Sequence, residues 1–94
     1  MPRYVLERDL GVVSEEEMQE IAARSKHTAI EGFPDIVWEH SHVCAAEDGK
    51  IKSFCVYAAP SPERLQEHAD SVGGIMITSI YEIVGDITPD EVKI

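Results

Sequence analysis

The chain has 94 residues, so one compact domain is expected, with a core small enough that pairing with a second copy is a common remedy. Eight Lys and Arg stand against eighteen Asp and Glu, a formal net charge of −10, which argues against binding a nucleic-acid backbone or an anionic membrane surface. A hydrophobic content of 44% excludes the opposite extreme, a disordered acidic tail.

Met1 to Leu10 carries Arg3, Glu7, Arg8 and Asp9 and cannot be the apolar core of a signal peptide. The charge-free stretch Ser71 to Tyr81 falls short of the ~20 residues that span a bilayer. Two cysteines, Cys44 and Cys55, are too few for a disulfide framework. The expectation is a cytoplasmic protein with free thiols.

In chain order, Tyr4-Val5-Leu6 is a short β-prone run closed by Asp9-Leu10-Gly11. Ser14 with Glu17 forms a capping-box signature, Val13 and Met18 stand in staple positions, and Glu15, Glu16 and Glu17 suit the positive end of a helix. Met18, Ile21, Ala22, Ser25 and Ala29 follow at helical spacing, Glu20 can pair with Arg24, and Gly32 with Pro34 ends the helix. Ile36 to Val43 and Ser53 to Ala58 read as strands joined through Asp48-Gly49, a favoured hairpin pair. Ser61 and Pro62 open a second helix with a Leu65-Ala69-Val72 stripe and a stop at Gly73. Ile75 to Val84, rich in β-branched residues, is the last strand, and residues 86–94 read as a loose acidic tail. The order β-α-β-β-α-β predicts one α+β domain over residues 1–94: a ferredoxin-like, four-stranded antiparallel sheet with both helices on one face.

One sheet face is then bare. A two-residue turn at Asp48-Gly49 places His42 opposite Cys55, His40 opposite Tyr57 and Cys44 opposite Ser53. Side-chain alternation then gathers Trp38, His40, His42, Cys44, Ser53, Cys55 and Tyr57 on the bare face. It sends Val43, Phe54, Val56 and Ala58 toward the helices. A bulged three-residue loop would break this register.

His40 and His42 stand about 7 Å apart at Cα and point the same way, so both imidazoles can converge on one transition-metal ion. Cys55 is the candidate third ligand, with His68 and Glu7 in reserve. Trp38 and Tyr57 are the aromatic residues expected to line the shared pocket, and they equally suit a plain dimer interface. His68, beside the apolar stripe, also suits a rim position hydrogen-bonded to a backbone carbonyl, and His27 falls on the exposed side of its helix. There is no Gly-rich phosphate loop, G-x-S-x-G elbow, CxxC or HExxH. A Cys55–His42 nucleophile and base pair would lack an orienting third group.

Met1-Pro2-Arg3-Tyr4-Val5-Leu6-Glu7-Arg8-Asp9-Leu10, Trp38-Glu39-His40-Ser41-His42-Val43, Cys55-Val56-Tyr57-Ala58-Ala59-Pro60 and Glu67-His68-Ala69 occur in that order. They resemble a bacterial domain-of-unknown-function family of small ferredoxin-like proteins, some described as nickel-binding or nickel-responsive. The resemblance runs from Pro2 to about Thr88, with W-x-H-S and C-x-Y-x-A-P its most specific parts. It implies a ferredoxin-like subunit that dimerises and, in some members, binds nickel. Arg8 stands where nickel-named relatives often carry a histidine, and His42 where many have an aromatic residue.

Two functions follow as expectations. The first is a homodimeric binding protein with a divalent metal, nickel or alternatively zinc, on the open sheet face. The second, resting on fold analogy, is a dimeric α/β-barrel enzyme for a small organic substrate.

Overall fold

A computed structural model describes residues 1–94. Strand β1 (Arg3–Gly11) alternates with period two: Tyr4, Leu6 and Arg8 are buried, while Arg3, Val5, Glu7 and Asp9 are half-buried on the other side. Helix α1 (Glu15–Gly32) begins with the capping box that the sequence predicts. Ser14 Oγ accepts from the Glu17 amide at 3.1 Å, and Glu17 Oε1 accepts from the Ser14 amide at 3.0 Å. Strands β2 (Val37–Ala45) and β3 (Ile51–Ala58) form a hairpin. Helix α2 (Pro62–Val72) is capped by Ser61, whose Oγ accepts from the Arg64 amide, and stops at Gly73, where φ of 77° favours glycine. Strand β4 (Met76–Ile83) closes the fold.

The four strands are antiparallel in the order β2-β3-β1-β4, the ferredoxin-like arrangement of the β-α-β-β-α-β chain. The smallest principal extent is 18 Å, as one sheet and one helical layer require at a spacing of about 10 Å. Neither of the two α-helices covers the far side of the sheet. No helix is long and apolar enough to cross a membrane.

The hairpin register differs from the sequence expectation. Three residues, Glu47, Asp48 and Gly49, separate Ala46 from Lys50, whose carbonyl accepts from the Ala46 amide at 2.8 Å. Asp48 (φ 58°) and Gly49 (φ 73°) both adopt left-handed conformations. The loop is one residue longer than a two-residue turn, so partners shift by one: His42 lies opposite Phe54, Ser41 opposite Cys55 and Cys44 opposite Lys52. A second irregularity follows, with Glu39 an extra residue between the pairs Trp38–Tyr57 and His40–Val56.

These two features decide the faces. Cys55, Tyr57 and Ser53 are not on the open face; they are buried toward the helices, and Trp38 and Val43 share their side. Phe54, Val56 and Ala58 move the other way, joining Val5 and Tyr81 on the open face. The helix-facing core is Tyr4, Leu6, Phe33, Ile36, Cys55, Tyr57, Ala59 and Leu65, with Ala29, Ile77 and Ile80 packed against it.

Long side chains tie the layers. Arg64 donates from Nε and Nη2 to the Asp35 carboxylate at 2.9 and 3.1 Å and lies 4.2 Å over the Phe33 ring. This fastens α2 to the α1–β2 loop and holds the Asp35 carboxyl below its usual range. Arg24 does not pair with Glu20; it donates to the carbonyls of Val72 and Gly73 and so caps the C-terminus of α2. Arg3 holds Glu39 at 2.8 Å and Asp86 at 2.7 Å, spanning one end of the sheet over the small Ala58.

Candidate functional site

His40 and His42 project from edge strand β2 onto the open face. Their ring centroids are 5.3 Å apart with planes at 80°, and both residues are exposed. Two residues along the strand, Cys44 lies on the same face, half-buried, as a free thiol opposite Lys52. Glu7 also faces this side, which settles the parity of β1. It sits two strands from His42 in the row Glu7–Phe54–His42, about 10 Å at Cα. Its carboxylate is engaged already, accepting from Thr78 Oγ1 at 2.6 Å and pairing with Lys52 at 3.4 Å. The Thr78 hydrogen bond, ahead of Lys52, lowers its pKa.

Within one chain, no three His, Cys, Asp or Glu side chains come together as a metal-ligand group. The histidine pair, flanked by the apolar Phe54 and Val56, therefore offers two imidazole donors and no third ligand from its own chain.

The structure separates the remaining sequence candidates from that pair. Cys55, 3% exposed, lies across the sheet and directs its S–H to Ser53 Oγ at 3.5 Å. A Cys55–His42 nucleophile and base pair is thereby divided between two faces. Cys44 and Cys55 are both free thiols, as expected. Tyr57 is buried and stacks on Trp38, with centroids 6.2 Å apart and planes at 14°. Burial pushes its phenol pKa upward, against the nearby Arg8 charge. His68 is fully buried on α2, where its Nε2–H donates to the Ser25 carbonyl at 3.0 Å, the backbone bond that its place beside the apolar stripe suggests. Burial lowers its pKa, the Ser25 bond opposes this, and Arg8 adds to the lowering. His27 is exposed beside Glu31 on α1.

The sequence reading missed a second feature between sheet and helices. Arg8 is only 4% exposed, and it lines a pocket with Ser25, Trp38, Ser53 and Cys55. The signal was present in the alternation Tyr4-Leu6-Arg8, which puts a guanidinium on the core side of β1.

A four-stranded antiparallel sheet with two helices on one face, and a histidine pair on the other, defines a ferredoxin-like domain with one side open. Within that class the sequence matches the family described as "Nickel responsive protein SCO4226-like" over residues 4–83, and the chain belongs to it. The crystal structure of SCO4226 from Streptomyces coelicolor A3(2) superposes with a TM-score of 0.70 at 15% identity, over 90% of this chain and 99% of that one. The C-terminal domain of the MgtC protein from Mycobacterium tuberculosis, solved in solution, gives 0.61 at 11% identity, over 90% and 88% of the two chains. Both are likenesses of fold. No curated protein matches at the level of sequence.

Proposed function

We propose that this protein is a homodimer whose open sheet faces meet, and that the paired His40 and His42 hold a divalent transition metal there. Nickel is the first choice and zinc the second. The observation that carries this reading is the placement of two imidazoles 5.3 Å apart on the uncovered face. Imidazole suits both ions, and each ion takes at least four ligands. One chain supplies two, and a two-fold interface brings the same two from a second copy. The family's description as nickel responsive supports nickel over zinc.

The apolar side chains that the register places around the pair support the dimer. Val5, Phe54 and Val56 run across the middle of the open face, with Tyr81 66% exposed on β4. Such a continuous apolar surface is the kind that a partner covers.

The test is calorimetric titration of nickel and zinc into protein purified without an affinity tag. The His40→Ala/His42→Ala variant is expected to lose most of the affinity while remaining a dimer. His27→Ala, on the exposed side of α1, is expected to bind as wild type. Because coordination requires neutral imidazole, affinity falls on acidification. Equal affinity in wild type and double variant would refute the assignment.

A further inference from the structure

The unexplained group in this molecule is Arg8. A guanidinium carries five N–H donors and does not shed its charge, so burying it demands either several acceptors or an anion. Arg8 makes one long hydrogen bond, from Nη2 to the Tyr57 hydroxyl at 3.3 Å, and sits 5.3 Å from that ring's centroid. Its Nε is buried with no partner. The chain has eighteen carboxylates, yet every ion pair it forms involves some other cation. Ser25 repeats the pattern across the layer, 3% exposed with a buried hydroxyl that has no partner.

Both groups line the same pocket between α1 and the sheet, whose volume is about 70 Å³. Most of the remaining lining is apolar, including Leu10, Met18, Ile21 and Val43. At about 30 Å³ per water, the space holds a ligand of only a few heavy atoms. A fixed cation and a free hydroxyl select an oxyanion head. The hydrocarbon lining disfavours a fully hydrated inorganic ion and favours a short apolar tail.

We propose that this pocket binds a short-chain carboxylate, its oxygens on Arg8 Nε and Ser25 Oγ and its hydrocarbon end among Leu10, Met18 and Ile21. The head makes a charge-assisted hydrogen bond to the guanidinium, the kind of contact in which Arg is most specific. The site lies across the sheet from the histidine pair, so its success or failure is independent of the metal reading.

The experiment follows the arginine Nε–H signals of the full chain by NMR while sodium propionate is added, against sodium chloride at matched ionic strength. The expected result is a saturable shift of the Arg8 signal at millimolar propionate, the affinity range of a ligand this small. Fluorescence of Trp38, which lines the same pocket, should follow the same curve. Arg8→Lys keeps the charge but loses the fork and should weaken binding about tenfold or more. Ser25→Ala should weaken it several-fold and, as the milder change, keeps the test open if Arg8→Lys does not fold. An equal shift with chloride would overturn the carboxylate assignment. The absence of any saturable shift in the wild-type protein would overturn the site.

Discussion

At the scale of single residues, burial decides what each titratable group does. His68 is enclosed by Phe33 and Tyr57, with ring centroids 5.3 and 6.1 Å away, and burial keeps its imidazole neutral to lower pH than in an open chain. An unfolded histidine takes up its proton near pH 6.5, whereas the folded one does so at lower pH. Between those two values the unfolded state binds more protons, so stability falls as pH falls and is fully present above about 6.5. Denaturant midpoints measured from pH 7 down to 5 should decline in the wild type and change much less in His68→Gln. A slope unaltered by that substitution would assign the loss to other groups. The bond from His68 to a backbone carbonyl was legible from its position next to Leu65, Ala69 and Val72. The solitude of Arg8 was not, because a sequence shows which residues are charged but not whether a partner reaches them.

At the scale of elements, features set by neighbouring residues are legible in the sequence. Both helix starts follow from two or three side chains in fixed local geometry, and both occur as the sequence predicts. Ser14→Ala removes the acceptor for the Glu17 amide and should cost about 1 kcal/mol of stability, measurable as a lowered denaturation midpoint with an unchanged slope. The hairpin was less legible. Asp48-Gly49 marks a turn correctly, but loops of two and three residues share that composition, and one residue inverts the parity of a whole strand. That step moved Cys55 and Tyr57 under the helices. Glu39, the extra residue on β2, shifts the pairing by one more, so that Trp38 rather than His40 lies opposite Tyr57 and the indole falls on the helix side of the sheet. His40 and His42 remain on the open face in both registers, so their placement there did not depend on the turn.

At the scale of the molecule, the sheet divides two chemistries. Beneath the helices lie Arg8, Tyr57, Cys55 and His68; on the far side lie the paired imidazoles and a band of apolar residues. If the open faces pair, Val56, beside His40 and Val5, falls within the contact. Val56→Lys should then shift sedimentation from dimer to monomer at micromolar concentration while leaving the far-ultraviolet circular dichroism unchanged. A wild-type protein that sediments as a monomer would remove the basis for a shared metal site.

The irregular step at Glu39 has a consequence for solubility. Strand β2 is a sheet edge, with backbone donors and acceptors that no neighbour satisfies, and exposed Val37 and Val43 lie along it. A flat strand of that kind is a template on which another chain can add itself, one copy after the next, toward a fibre. An extra residue near the start of the strand bends the template and breaks its hydrogen-bond spacing. The Arg3–Glu39 ion pair anchors that bend to β1 in the interior of the sheet. The edge is thereby spoiled for indefinite growth, while the flat of the sheet stays free for a single, closed pairing.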